Sequence, residues 1–93
     1  GIQTEGQFDE VGNYPNPFVE MTNFKFSLSR KERVELVVYD ILGAEQAVVI
    51  SRQLPPGEYD IPLDTRHLTP GKYFYQFSIG GKMITKQIYR SAG

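Results

Sequence analysis

At 93 residues, with no cysteine and a net charge of −1, the chain is one domain that buries roughly 60% of its unfolded surface and relies on packing rather than disulfides. The near-neutral balance gives no general drive toward nucleic acid or a membrane surface, and no run approaches the roughly 18 apolar residues of a spanning helix. Six Phe and six Tyr allow a few large side chains to fill a small core.

The charges are unevenly placed. Residues 1–24 carry Glu5, Asp9, Glu10 and Glu20 and no Lys or Arg, whereas residues 65–93 carry Arg66, Lys72, Lys82, Lys86 and Arg90 and no Asp or Glu. These are two solvated faces that neutralise each other if the first and last strands are neighbours, or a basic end that meets an acidic partner. No basic-then-apolar signal peptide opens the chain. It begins at Gly1 rather than Met, which reads as a fragment of a longer protein with Gly1 a cloning scar.

Residues 1–12 read as a linker or edge segment, with a short edge strand near Gln7–Val11. Asn13-Tyr14-Pro15-Asn16-Pro17-Phe18 follows, and its two prolines hold the chain extended and remove two amide donors, which suits an edge or a turn. Tyr14 and Phe18 are expected to fold inward on either side. Thr22 to Leu28 alternates, with Phe24, Phe26 and Leu28 inward, and Ser29 to Glu32 is a polar reversal. Arg33 to Tyr39 places Val34, Leu36 and Val38 on one face and Val37 and Tyr39 on the other, apolar on both sides as a central strand would be. Asp40-Ile41-Leu42-Gly43 is a turn, Asp40 suited to hold nearby backbone amides and Gly43 to a positive φ.

Gln46 to Ser51 is a short β-rich run whose facing the alternation leaves open. Leu54-Pro55-Pro56-Gly57 interrupts it, and Glu58 to Asp64 alternates again, with Tyr59, Ile61 and Leu63 inward and Pro62 marking an edge. Tyr73 to Ile79 alternates, Gly80-Gly81 suits a two-residue turn of type I′ or II′, and Lys82 to Ile88 returns. That turn sets Ile79 opposite Lys82, Phe77 opposite Ile84, Tyr75 opposite Lys86 and Tyr73 opposite Ile88, so that Tyr73, Phe77, Ile84 and Ile88 share a face. Strict alternation also puts Lys86 on that face. Either Tyr75 and Lys86 lie at the rim, the lysine stem over the ring, or a bulge turns Lys86 outward. Pro70-Gly71 before Tyr73 suits a tyrosine corner, the phenol bonding to backbone a few residues upstream. About seven short strands at roughly 8–12-residue spacing predict an all-β, immunoglobulin-like antiparallel sandwich.

Catalytic chemistry has little to build on. Ser51, Asp64 and His67 occur in an order some hydrolases use, but without a glycine-flanked nucleophile. His67 is the single histidine, which leaves a zinc site without partners. Asp9, Glu10, Asp40, Asp60 and Asp64 form no closely spaced calcium loop. The chain is read as a non-enzyme that uses no cofactor and binds no nucleic acid.

Asn13-Tyr14-Pro15-Asn16-Pro17-Phe18, then Val34-x-Leu36-x-Val38-Tyr39-Asp40-x-x-Gly43, then Leu68-x-x-Gly71-x-Tyr73-x-Tyr75, and finally Thr85-Lys86-Gln87-Ile88 resemble, in order, the type A C-terminal sorting domain of the type IX secretion system. The resemblance implies an immunoglobulin-like secretion signal over 13–93. Such a signal sits behind an upstream cargo in Bacteroidetes-type bacteria, is recognised by outer-membrane translocation proteins after periplasmic transit, and is then often removed by a surface sortase. It implies delivery to the cell surface or the medium, with no direct insertion into the membrane. It places Asp40 and Gly43 in the family's central motif, Gly71 and Tyr73 in its penultimate one, and Lys86 and Ile88 in its last. Lys82 joins them as a candidate recognition residue. Ala44 stands where the family often has Arg or Lys. Flagellar hook-capping domains share part of the pattern, so a structural or adhesive spacer is the alternative.

Overall fold

The computed structural model describes residues 11–14 and 21–91. The described elements are β1 (Val11–Tyr14), β2 (Met21–Leu28), β3 (Glu32–Asp40), β4 (Glu45–Leu54), β5 (Gly57–Asp64), β6 (Gly71–Ile79) and β7 (Lys82–Arg90), with no helix among them. Five of the six strands from β2 onward are those that alternation predicts, and β4, expected at 46–51 from its β-rich composition, runs on to Leu54. The seventh, expected at Gln7–Val11, lies outside the described residues apart from Val11. Pairing begins instead in β1, which runs from Val11 opposite Phe26 to Tyr14 opposite Asn23. The inward placement of Tyr14 and Phe18 and the acidic cluster of Glu5, Asp9, Glu10 and Glu20 also lie outside the described residues.

All pairing among the described residues is antiparallel, in one sheet ordered β1-β2-β5 and another ordered β4-β3-β6-β7. β3, apolar on both sides, is indeed internal, and β5, with Pro62, is an edge. The alternation decides what is buried: Phe24, Phe26 and Leu28 from β2, Val34, Leu36 and Val38 from β3, and Tyr73, Tyr75, Phe77 and Ile79 from β6 form one core with Ile88. Tyr59, Ile61 and Leu63 pack against it from the edge and are only partly buried. Rings from the two sheets meet directly. Phe24 stands edge-on to Tyr75 at 4.9 Å between centroids, and Phe26 lies 4.8 Å from Phe77. Contacts of this kind add about 0.5–1.5 kcal/mol each beyond the area they bury.

The final hairpin has the register that its two glycines dictate, from Ile79 opposite Lys82 to Tyr73 opposite Ile88. Gly80 and Gly81 have φ of 53° and 85°, both positive as a type I′ turn requires. No register shift interrupts this pair, so a bulge does not turn Lys86 outward. Tyr75 nevertheless does not sit at a rim: it is 1% exposed, and burial pushes its phenol pKa up to about 12. Lys86 is exposed on β7, the last strand of its sheet among the described residues.

The segments leading into β5 and β6 are copies of one another. Leu54-Pro55-Pro56-Gly57-Glu58-Tyr59 and Leu68-Thr69-Pro70-Gly71-Lys72-Tyr73 share the pattern Leu-x-Pro-Gly-x-Tyr. Both leucines are buried, and the two glycines have φ of 149° and 144°, where L side chains are strained. Each tyrosine hydroxyl donates to the carbonyl four residues back, Tyr59 to Pro55 at 2.5 Å and Tyr73 to Thr69 at 2.6 Å. The bond expected of Tyr73 is thus one of a pair. Tyr73→Phe keeps the buried ring and removes that bond, so it should cost about 1 kcal/mol. A thermal melt matching wild type would show that the phenol contributes nothing.

Candidate recognition site

Asp40, Gly43, Gly71, Tyr73 and Ile88 come together at one end of the four-stranded sheet. Asp40 pairs with Tyr73 across β3 and β6, and Tyr73 with Ile88 across β6 and β7, so residues from three separate stretches of sequence share one row. Gly71 pairs with Arg90 two positions further out, and Gly43 lies in the turn leaving β3. Lys86 is two positions back along β7, opposite Tyr75, and exposed. Lys82 pairs with Ile79 beside the hairpin, at the other end, so the sheet does not bring it to the group.

The clustered residues do local structural work. The Asp40 carboxylate accepts from the amides of Leu42 and Ala44 through Oδ1, both at 2.9 Å, and from Gln46 Nε2 through Oδ2 at 3.1 Å. Its own backbone amide donates to the Ala44 carbonyl at 2.9 Å, and its carbonyl accepts from Gly43 at 3.0 Å. A short carboxylate just before the turn reaches amides that a longer side chain would overshoot. Gly43 supplies the left-handed step at φ 87°. Gly71 and Tyr73 build the corner that Gly57 and Tyr59 build on β5, and Ile88 is fully buried. Arg90 ties the strand end down, its Nε donating to the Thr65 carbonyl at 2.9 Å.

What this frame displays was missed in the sequence. Ile41 and Leu42, at the tip of the Asp40 turn, are 65% and 89% exposed. Two aliphatics at turn positions that are ordinarily polar were a legible signal. Shallow grooves flank the turn. One, of about 500 Å³, is lined by Tyr39, Phe74, Gln76 and Thr85 together with the turn; the other, of about 240 Å³, runs between Ile41 and the Thr69–Tyr73 corner.

Ser51, Asp64 and His67 are not assembled into a site. Ser51 lies on β4 and accepts from Arg33 Nη2 at 3.1 Å, whereas Asp64 ends β5 in the other sheet. Hydrogen bonds from Arg66, one of them at 2.6 Å, hold the Asp64 pKa down to about 2.

The sequence matches the family of secretion system C-terminal sorting domains over residues 13–90, a span that takes in β2 through β7 and every clustered residue. The chain belongs to this family. No curated protein matches it. The sorting domain is a type IX secretion signal, fused to an upstream cargo bound for the cell surface or the medium, and it works through the type IX machinery.

Proposed function

We propose that this is a type A sorting domain with an immunoglobulin-like sandwich fold over 13–93, preceded by a linker or edge segment at 1–12. The cargo reaches the periplasm by a separate N-terminal signal. Outer-membrane translocation proteins then read the folded domain, and a surface sortase removes it. The observation that carries the reading is the single row Asp40–Tyr73–Ile88, in which three stretches of the matched span, those that resemble the family's central, penultimate and last motifs, meet across three strands. The sandwich is supported by the ring contacts between the sheets. In this reading Lys82 and Lys86, both exposed, offer charge to the machinery.

The test is a fusion of the domain behind a passenger carrying a periplasmic signal, in a host with type IX machinery. Export of the passenger is expected, with a surface form smaller than its precursor by roughly the mass of the domain. Lys82→Gln and Lys86→Gln retain length and should lower export while the melting temperature of the purified domain stays near wild type. Export unaffected by both would remove the lysines from the recognition surface. Failure of the intact domain to export its passenger would overturn the secretion reading for this chain.

A further inference from the structure

The chain holds the corner of the penultimate motif twice. Leu54-Pro55-Pro56-Gly57-Glu58-Tyr59 and Leu68-Thr69-Pro70-Gly71-Lys72-Tyr73 agree in their buried leucine, in the positive φ of their glycine and in the bond from their tyrosine hydroxyl to the carbonyl four residues back. None of those shared features can tell a partner which corner it has met. Two positions differ, Thr69 against Pro55 and Lys72 against Glu58. The Thr69 hydroxyl lies 3.1 Å from that of Tyr73 and is used within its own corner. We propose that Lys72 is the specificity-determining residue of the penultimate motif, and that it meets a carboxylate on the surface of a protein partner. The inference rests on the secretion reading above, so that partner belongs to the translocation machinery.

Lys72 is held in place without being neutralised. Its ammonium lies 5.7 Å from the centroid of the Phe74 ring, two residues further along the same face of β6, a cation–π contact that fixes where the charge sits. No carboxylate pairs with it among the described residues. Asp40 lines the same groove of about 240 Å³, but both of its oxygens accept hydrogen bonds, from the amides of its own turn and from Gln46. One ammonium therefore stands between Gly71 and Tyr73, beside the row in which the three stretches meet.

The strands that follow the two corners turn the difference into one of sign. The outward residues of β6 are Lys72, Phe74, Gln76 and Ser78, without a carboxylate, whereas those of β5 are Glu58, Asp60, Pro62 and Asp64. Asp60 accepts from Asn23 and stands opposite Lys25, and Asp64 accepts from Arg66. Glu58 stands opposite Ser27, and no cation pairs with it among the described residues. An acidic partner surface is thus attracted to the corner at Tyr73 and repelled by its counterpart at Tyr59. A basic surface would choose the wrong corner, and repulsion from a near match is a common source of specificity. Lys72 is a single ammonium, with Arg66 bonded to Asp64 and Arg90 to Thr65. That falls short of the roughly four to eight basic residues that hold a surface to anionic lipid, and it suits one carboxylate.

The experiment compares export of one passenger fused to the wild-type domain and to variants at the two corners. Lys72→Glu gives the motif corner the charge of its counterpart and is expected to lower export about tenfold or more, as reversing one member of a close charge pair does. Lys72→Arg keeps a cation over Phe74 and should keep most of the export, which separates charge from packing. Glu58→Lys should export as wild type does. The exchange Lys72→Glu/Glu58→Lys keeps the net charge of −1 and should export as poorly as Lys72→Glu alone. All the purified domains should melt near wild type. If Lys72→Glu melts lower, Lys72→Met, which keeps the stem against the ring, carries the comparison and should also lower export. Normal export of a folded Lys72→Glu or Lys72→Met domain overturns the inference while leaving the secretion reading intact. Export restored by the exchange overturns it in favour of net charge, and export lost in Lys72→Arg overturns it in favour of a packing role. Failure of the wild-type fusion overturns the secretion reading itself. Sedimentation of the purified domain on vesicles of phosphatidylethanolamine and lipopolysaccharide that is lost in Lys72→Glu would overturn the protein partner in favour of a membrane.

Discussion

Phe77→Ala is expected to remove about 3–5 kcal/mol of stability, a large part of the roughly 5–15 kcal/mol that holds a domain of this kind together. Phe77 is fully buried, pairs with Leu36 on one side and Ile84 on the other, and meets the Phe26 ring of the opposite sheet at 4.8 Å. Truncation therefore removes a contact between the two sheets as well as the transfer energy of the ring. The surrounding strands are held in register on both sides and have little freedom to collapse into the space. Ile84→Ala, at a partly buried position on the edge strand beside it, should cost clearly less, because solvent already reaches that side chain. Urea unfolding followed by tryptophan-independent circular dichroism should show a lower midpoint for Phe77→Ala with an unchanged slope. A loss below about 1 kcal/mol would mean that the sheets are not packed through Phe77 and that the core lies elsewhere.

Much of this fold was legible because its strands alternate strictly. The period-2 runs around Phe24, Val34 and Phe77 could face only one way, and Gly80-Gly81 fixed the last register without any tertiary information. β4 was not legible for a physical reason. Its register against β3 shifts twice, first between Leu36 opposite Ile50 and Val37 opposite Val48, then between Val38 opposite Ala47 and Tyr39 opposite Glu45. Each shift breaks the alternation that would have revealed the facing of Ala47, Val49 and Ile50, all partly buried. The pairing of Tyr75 with a lysine left a rim position and a bulge as alternatives, and neither holds, because sequence pairs residues across strands but does not say how far the other sheet extends over them. The second corner at Tyr59 is written in the chain as a repeat, but Pro55-Pro56 also has the form of a strand breaker, which masks the pattern that Pro56-Gly57 shares with Pro70-Gly71. Of the candidate site, the motif residues were visible and their convergence in one row follows from the strand order β3-β6-β7. Their role was not, since a motif marks positions without separating those that build a turn from those that the turn displays.

Lys86→Ile is expected to make the domain self-associate. Among the described residues β7 is the end of its sheet, nine residues long, without proline and without a register shift against β6. A regular strand at the end of a sheet is a template for another strand. The opposite edge, β4, is interrupted by its bulges, and β5 carries Pro62, so β7 is the edge among these that is regular enough to extend the sheet. Its protection lies in its side chains. Lys82 and Lys86 face the same side as Ile84 and Ile88, and a strand docking along β7 with its own partner sheet would have to draw those ammonium groups out of water, at a cost of several kcal/mol for each ion left unpaired. Replacing Lys86 with Ile removes that cost and leaves aliphatic groups at 84, 86 and 88 in unbroken alternation. Light scattering across a concentration series should show an apparent mass that rises for Lys86→Ile and stays constant for wild type and for Lys86→Arg, which keeps the charge. A Lys86→Ile domain that remains as dispersed as wild type at the same concentrations would show that the edge is guarded by something other than this lysine. The outcome bears on secretion as well, because a signal that must reach the outer membrane attached to its cargo cannot pair with other copies on the way. A lysine on the inner side of the last strand serves that requirement whatever it contacts on arrival, and Lys86→Arg separates the two roles: it should keep the domain dispersed even if the shape of the head group matters to the machinery.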